Sequence, residues 1–126
     1  GMIRVAANSI TDTGWDFTQN EVIEIEADLR TKIVLGNDPL SRKIISGADG
    51  FQSRGNQIPL IPNINFGSLI GVIKMPNGTS DLFFIGEGNR VIMPASGRLF
   101  LAVNDKYLDD NSGYFEVSIR KSFEGY

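Results

Sequence analysis

The 126-residue chain contains no cysteine and no histidine. Without histidine there is no Ser-His-Asp triad, and without cysteine there is no thiolate nucleophile. Zinc, copper and iron sites that depend on imidazole or thiolate are excluded by the same two absences. No disulfide holds the fold, so a hydrophobic core must do so, and a chain of this length can bury one. Cationic excess is also missing: 12 basic against 15 acidic residues give a net charge of −3. A nucleic-acid interface normally carries a basic excess or stripe, and neither is present. No apolar run approaches the ~20 residues of a membrane-spanning helix. What remains is oxygen chemistry (carboxylates, carboxamides, hydroxyls and backbone carbonyls), the ligand set of a hard cation such as calcium.

The apolar residues are distributed as short alternating runs punctuated by Gly, Asn, Asp and Pro, a strand pattern without a 3.6-residue period. Runs over 3–7, 22–27, 32–35, 69–75, 82–85, 91–93, 98–103 and 114–120 predict seven or eight strands. Ile23, Ile25 and Ala27 share one face, as do Leu99, Leu101 and Val103, and Phe115, Val117 and Ile119. Asn8–Gly14 reads as a polar stretch ending at Trp15-Asp16-Phe17, with Trp15 as a packing residue rather than a sugar platform. Asn77-Gly78 between two apolar runs is a hairpin signal. The stretch from Leu40 to Phe66 is the least regular, and a long loop inside a small domain is usually functional. The expected fold is all-β: one domain over residues 1–126, a two-sheet, jelly-roll-like β-sandwich of the galactose-binding-domain-like kind. Gly1 ahead of Met2 reads as an expression remnant, and the following residues lack the build of a classical signal peptide.

The densest chemistry lies between the last two strands, in Asn104-Asp105-Lys106-Tyr107-Leu108-Asp109-Asp110-Asn111-Ser112-Gly113. Asp105, Asp109 and Asp110 together with the carboxamides offer several oxygens to a cation, read here as a loop on a hairpin. The same residue types are also the standard turn formers, so on composition alone a solvated acidic hairpin loop is the default reading. An EF-hand is excluded: Tyr107 and Asp110 stand at its third and sixth positions, and strands flank the loop. Asp81 and Glu87 do not make a persuasive catalytic pair, and no enzymatic constellation is read from the chain.

The segment LFLAVNDKYLDDNSGYFEVSI resembles the C-terminal signature of the galactose-binding, calcium-dependent bacterial lectins of the PA-IL (LecA-like) family. TDTGWDF followed by VIEIEA is similar to that family's N-terminal strand pair. FGSLIGVIK is similar to its central strand, and SGRLFLAVND to its run into the site. The resemblance implies a bound Ca2+ held by Asp105, a carbonyl at Tyr107 or Leu108, Asp110 and Asn111. A further carbonyl would come from the stretch between Leu35 and Asn37. It also implies that the metal takes two vicinal sugar hydroxyls directly, with Asp105, Asp110 and the Lys106 backbone lining the site. Counting back from FGSLIG, Gln57 falls on the family's sugar-contacting Gln, while Arg54 stands where the family has His. The resemblance therefore implies a non-enzymatic carbohydrate-binding domain, cell-surface or secreted, with galactose-like specificity altered at Arg54. It is compatible with a homo-oligomer, since weak single-site binding gains from multivalency. The alternative is a structural or adhesion module whose metal is absent or purely structural.

Overall fold

A computed structural model describes residues 2–51 and 58–122. These form ten strands: β1 (Met2–Ala6), β2 (Thr11–Phe17), β3 (Val22–Ala27), β4 (Ile33–Asn37), β5 (Lys43–Ser46), β6 (Leu69–Lys74), β7 (Ser80–Phe84), β8 (Gly88–Ile92), β9 (Gly97–Val103) and β10 (Ser112–Lys121). They build two antiparallel sheets. One runs β5-β4-β10-β3-β8 with β1 also paired to β10; the other runs β2-β9-β6-β7. No helix occurs among the described residues, and so none is long and apolar enough to cross a membrane.

The core lies between the sheets and uses the alternate residues read from the sequence. Ile23, Ile25, Phe115, Val117 and Ile119 come from one sheet, and Leu69, Ile73, Leu99, Leu101 and Val103 from the other. The outer face of the six-stranded sheet is charged instead: Arg120 pairs with Glu24 at 2.7 Å and Arg4 with Glu116 at 3.2 Å. A one-residue slip of β10 would exchange these two sets, so its register is fixed by burial. The Asn77-Gly78 turn joins β6 to β7 as expected, with Gly78 at φ +87° and Met75 N–H donating to the Thr79 carbonyl at 2.8 Å. Trp15 packs half-buried against the core, its ring 5.8 Å from that of Phe17.

Three features differ from the sequence reading. The described residues form ten strands, not seven or eight, because two segments were not expected to pair. Four residues of the irregular middle, Lys43–Ser46, form β5 against β4. The polar stretch ending at Trp15 belongs to β2, whose pairing with β9 shifts register between Asp12 and Asp16. Exposure still alternates along β2, but its inward positions before Trp15 are Thr11 and Thr13, so no apolar period marks it in the sequence. Most consequentially, the acidic loop is not a hairpin: β9 and β10 lie in different sheets, and the loop crosses between them. That crossover carries the loop over one end of the sandwich, where both sheets can contribute to it.

Candidate functional site

Strand β10 begins beside β4, with Ser112 opposite Val34 and Gly113 opposite Ile33. This register brings the end of β4 against residues 110 and 111. The β4–β5 pairing is irregular between Val34 and Asn37, and Gly36 sits there at φ +87°. A Cβ at Gly36 would land on the Asp110 carboxyl group, so the Asp110 side chain rests on the bare backbone of Gly36. Gly36→Ala is therefore expected to cost about 1–2 kcal/mol of stability from the left-handed backbone alone. It should also push Asp110 off its seat; chemical denaturation measures the first effect and a calcium titration the second.

From the β9 side, Asp105 follows Asn104, and both are buried, at 1% and 0% exposure. Asp105 Oδ1 accepts the Tyr107 N–H at 2.9 Å, and Oδ2 accepts from Asn111 Nδ2 at 2.8 Å. Asn111 Nδ2 also donates to the Ala7 carbonyl at 3.1 Å. These two acceptors fix which end of the Asn111 carboxamide is which. They leave its Oδ1 buried with no hydrogen-bond partner, alone among the buried side-chain polar atoms of the described residues. An orphaned carbonyl oxygen next to a buried carboxylate is costly in an apo protein. Burial holds the Asp105 carboxyl above the ordinary carboxylate range, and the nearby Asp110 charge adds to this. The Asn111 and Tyr107 hydrogen bonds pull the other way. No cation of the chain pairs with Asp105 among the described residues.

The remaining candidates are distributed unevenly. Asp109 is exposed, and no three acidic side chains converge among the described residues, so a bound cation would draw on fewer carboxylates than the composition offers. The Leu108 carbonyl accepts the Asn111 N–H at 3.0 Å, which closes the turn. Tyr107 exposes its side chain and meets Asp105 only through its backbone. Lys106 is exposed, and its N–H donates to the Ile58 carbonyl at 2.8 Å. Gln57 and Arg54 lie outside the described residues.

Two roles are not legible in the sequence. Gly36 enters there only as part of the carbonyl-bearing Leu35–Asn37 stretch, and the β4–β10 register reveals it as the seat under Asp110. Asn104 looked like one more loop carboxamide. Its Oδ1 accepts the Ile61 N–H at 2.7 Å, and its Nδ2 faces the carbonyls of Ile61, Ile64 and Asn65, each at 3.1 Å. The available signal is a carboxamide placed directly after Val103, the apolar end of an alternating strand.

No protein-family model matches the chain, and no curated protein matches it. Among solved structures, one described as the EclA N-terminal domain, a PllA-like lectin, is similar over nearly the whole length. It aligns with a TM-score of 0.68 and 22% sequence identity, covering 96% of this chain and 95% of that one. The chain thus folds as an antiparallel two-sheet β-sandwich of the architecture found in that lectin domain.

Proposed function

We propose that this domain is a non-enzymatic lectin that binds carbohydrate through a calcium ion at the 105–111 crossover. The observation that carries the reading is the buried, unpartnered Oδ1 of Asn111 beside the buried Asp105 carboxyl. A hard cation would satisfy both at once. The donor set suits calcium: two carboxylates (Asp105, Asp110), one carboxamide oxygen (Asn111) and nearby backbone carbonyls at Tyr107 and the Leu35–Asn37 stretch. Asp109, exposed beside this set, would serve at most through water. The similarity in fold to a domain described as a PllA-like lectin supports carbohydrate as the ligand class.

Calcium with open coordination positions turns a vicinal diol into a chelating ligand, which a plain protein surface cannot do against water. The chain's own part is to orient that diol. Asp105 and Asp110 would accept charge-assisted hydrogen bonds from its hydroxyls, and the Lys106 backbone would line the site. Arg54 and Gln57 belong to the proposal on the sequence resemblance, with Arg54 shifting preference away from plain galactose. Arg presents a fork that matches a carboxylate, so acidic or carboxyl-bearing galactosides are the first alternatives to screen.

The test is a glycan array probed in calcium and again in EDTA. Retention of galactose-like or acidic glycans in calcium and its loss in EDTA is the expected result. Binding of calcium with no glycan retained would favour a structural or adhesion module instead.

A further inference from the structure

We infer that Asn104 is a positioning residue: it ties the middle loop over residues 58–66 to the cation loop, so that ligand affinity depends on it while cation affinity does not. The inference rests on the lectin reading above and extends it to a residue with no cation-binding part of its own.

Asn104 and Asp105 are consecutive and buried, yet their side chains serve different partners. Asp105 bonds within the cation loop, to Asn111 and to the Tyr107 N–H. Asn104 bonds only to the middle loop. Its Oδ1 accepts from Ile61, and its Nδ2 is shared among the carbonyls of Ile61, Ile64 and Asn65. The Asn104 backbone continues the pattern: its N–H donates to the Ser68 carbonyl at 2.8 Å, and its carbonyl accepts the Gly67 N–H at 3.0 Å. The Lys106 N–H closes the other end by donating to the Ile58 carbonyl at 2.8 Å. Asn104 and Lys106, on either side of Asp105, thus hold both ends of the loop.

This loop contains Pro59 and Pro62 and belongs to no strand, so it has no ladder of its own to fix its backbone. Buried backbone groups without a ladder must find side-chain partners, and Asn104 supplies them to Ile61, Ile64 and Asn65. Only a carboxamide offers an acceptor and two donors on one short stem, which is what an N–H beside three carbonyls requires. Serine would supply one donor and an acceptor on a shorter stem; alanine supplies none.

The experiment compares wild type with Asn104→Ala and Asn104→Ser, each first shown to melt cooperatively with a β-sheet circular dichroism spectrum. Calcium affinity is measured by titration calorimetry, and sugar binding by frontal chromatography in saturating calcium on agarose bearing galactose and, in parallel, galacturonate. The better-retained sugar is the one compared, and wild type that binds calcium but neither sugar overturns the inference. Amide hydrogen exchange of the 58–66 stretch is followed with and without calcium. The expected result is a split. Calcium affinity stays within about twofold of wild type, while sugar affinity falls by about tenfold or more in Asn104→Ala and by less in Asn104→Ser. Exchange at Ile61 and Ile64 should be faster in Asn104→Ala than in wild type, by the same factor with and without calcium. If Asn104→Ala does not fold, the serine variant must show the same split. Wild type that binds calcium and sugar while both variants match it in both affinities overturns the inference and leaves the lectin reading standing. Equal losses of calcium and sugar affinity also overturn it, since Asn104 would then support the whole end of the sandwich. Wild type that binds no calcium overturns both.

Discussion

Saturating calcium is expected to raise the melting temperature of the wild-type protein, by roughly 10 °C at about a hundredfold excess over its Kd, and EDTA to abolish the gain. A ligand that binds only the folded state stabilises it by mass action, and the unfolded chain neither buries Asp105 and Asn111 nor holds the 105–111 loop against Gly36. Asp105→Asn should remove this response almost entirely. The variant should remain folded without calcium, because it exchanges a buried carboxyl for a neutral group of the same shape. One of its two amide-donor contacts, with Tyr107 or with Asn111, is lost in the exchange.

The pH dependence has a definite sign. Burial chiefly holds the Asp105 carboxyl above its ordinary value of 3.8 in the folded protein. The folded state therefore retains a proton on Asp105 that the unfolded chain releases, so the Asp105 contribution to calcium-free stability is lost as pH rises from about 4 through the raised value. This runs against the opposite trend of Asp12, Glu21, Asp28 and Asp38, which are held low. Calcium needs the ionised carboxylate, so the calcium-induced gain should grow across the same interval. Asp105→Asn should lack both contributions, so the difference between wild type and the variant isolates them. A calcium-induced shift that is flat with pH, or one that survives in Asp105→Asn, would show that the ion binds elsewhere.

Asn111 carries the second large effect, because it has two separable roles. Its Nδ2 holds the Asp105 carboxyl and the Ala7 carbonyl, and its Oδ1 is the orphan. Asn111→Ala removes both and leaves the buried carboxyl without its side-chain donor. The expected cost is about 2–3 kcal/mol even without calcium, a melting temperature lower by roughly 10 °C, together with loss of the calcium response. Asn111→Asp keeps an oxygen at the orphan position but sets a second carboxylate against Asp105. Calcium-free protein should then be less stable than wild type and gain more from calcium than wild type does. Thermal melts of the three proteins in calcium and in EDTA provide the comparison. If Asn111→Asp gains nothing from calcium, the orphan oxygen is not a ligand position.

Much of the fold was legible because burial enforces alternation. Strands β3, β9 and β10 each present one buried face, and Ile23, Leu99, Phe115 and their neighbours could be placed by counting in twos. What escaped notice lacked that signature. Strand β5 is four residues long, with only Ser46 buried, so its pattern does not stand out from a loop. Strand β2 alternates in exposure, but Thr11 and Thr13 occupy its inward positions, so the apolar signal is missing. The sheet change between β9 and β10 could not be read at all, since alternation gives the face of a strand but not its neighbour. Within the site, Asp105, Asp110 and Asn111 were visible as a cluster of oxygens in one short segment. Their unequal burial was not: Asp105 and Asn111 are enclosed, while Asp109 and Asp110 remain in solvent. Gly36 and Asn104 act across long sequence separations, and a single sequence gives no sign of which loops meet.

Titration calorimetry of calcium into wild type and Asp105→Asn at pH 7 tests the central claim most directly. The account predicts one saturable site in wild type and no measurable binding in Asp105→Asn. No heat of binding in wild type, or the same isotherm in both proteins, would contradict it.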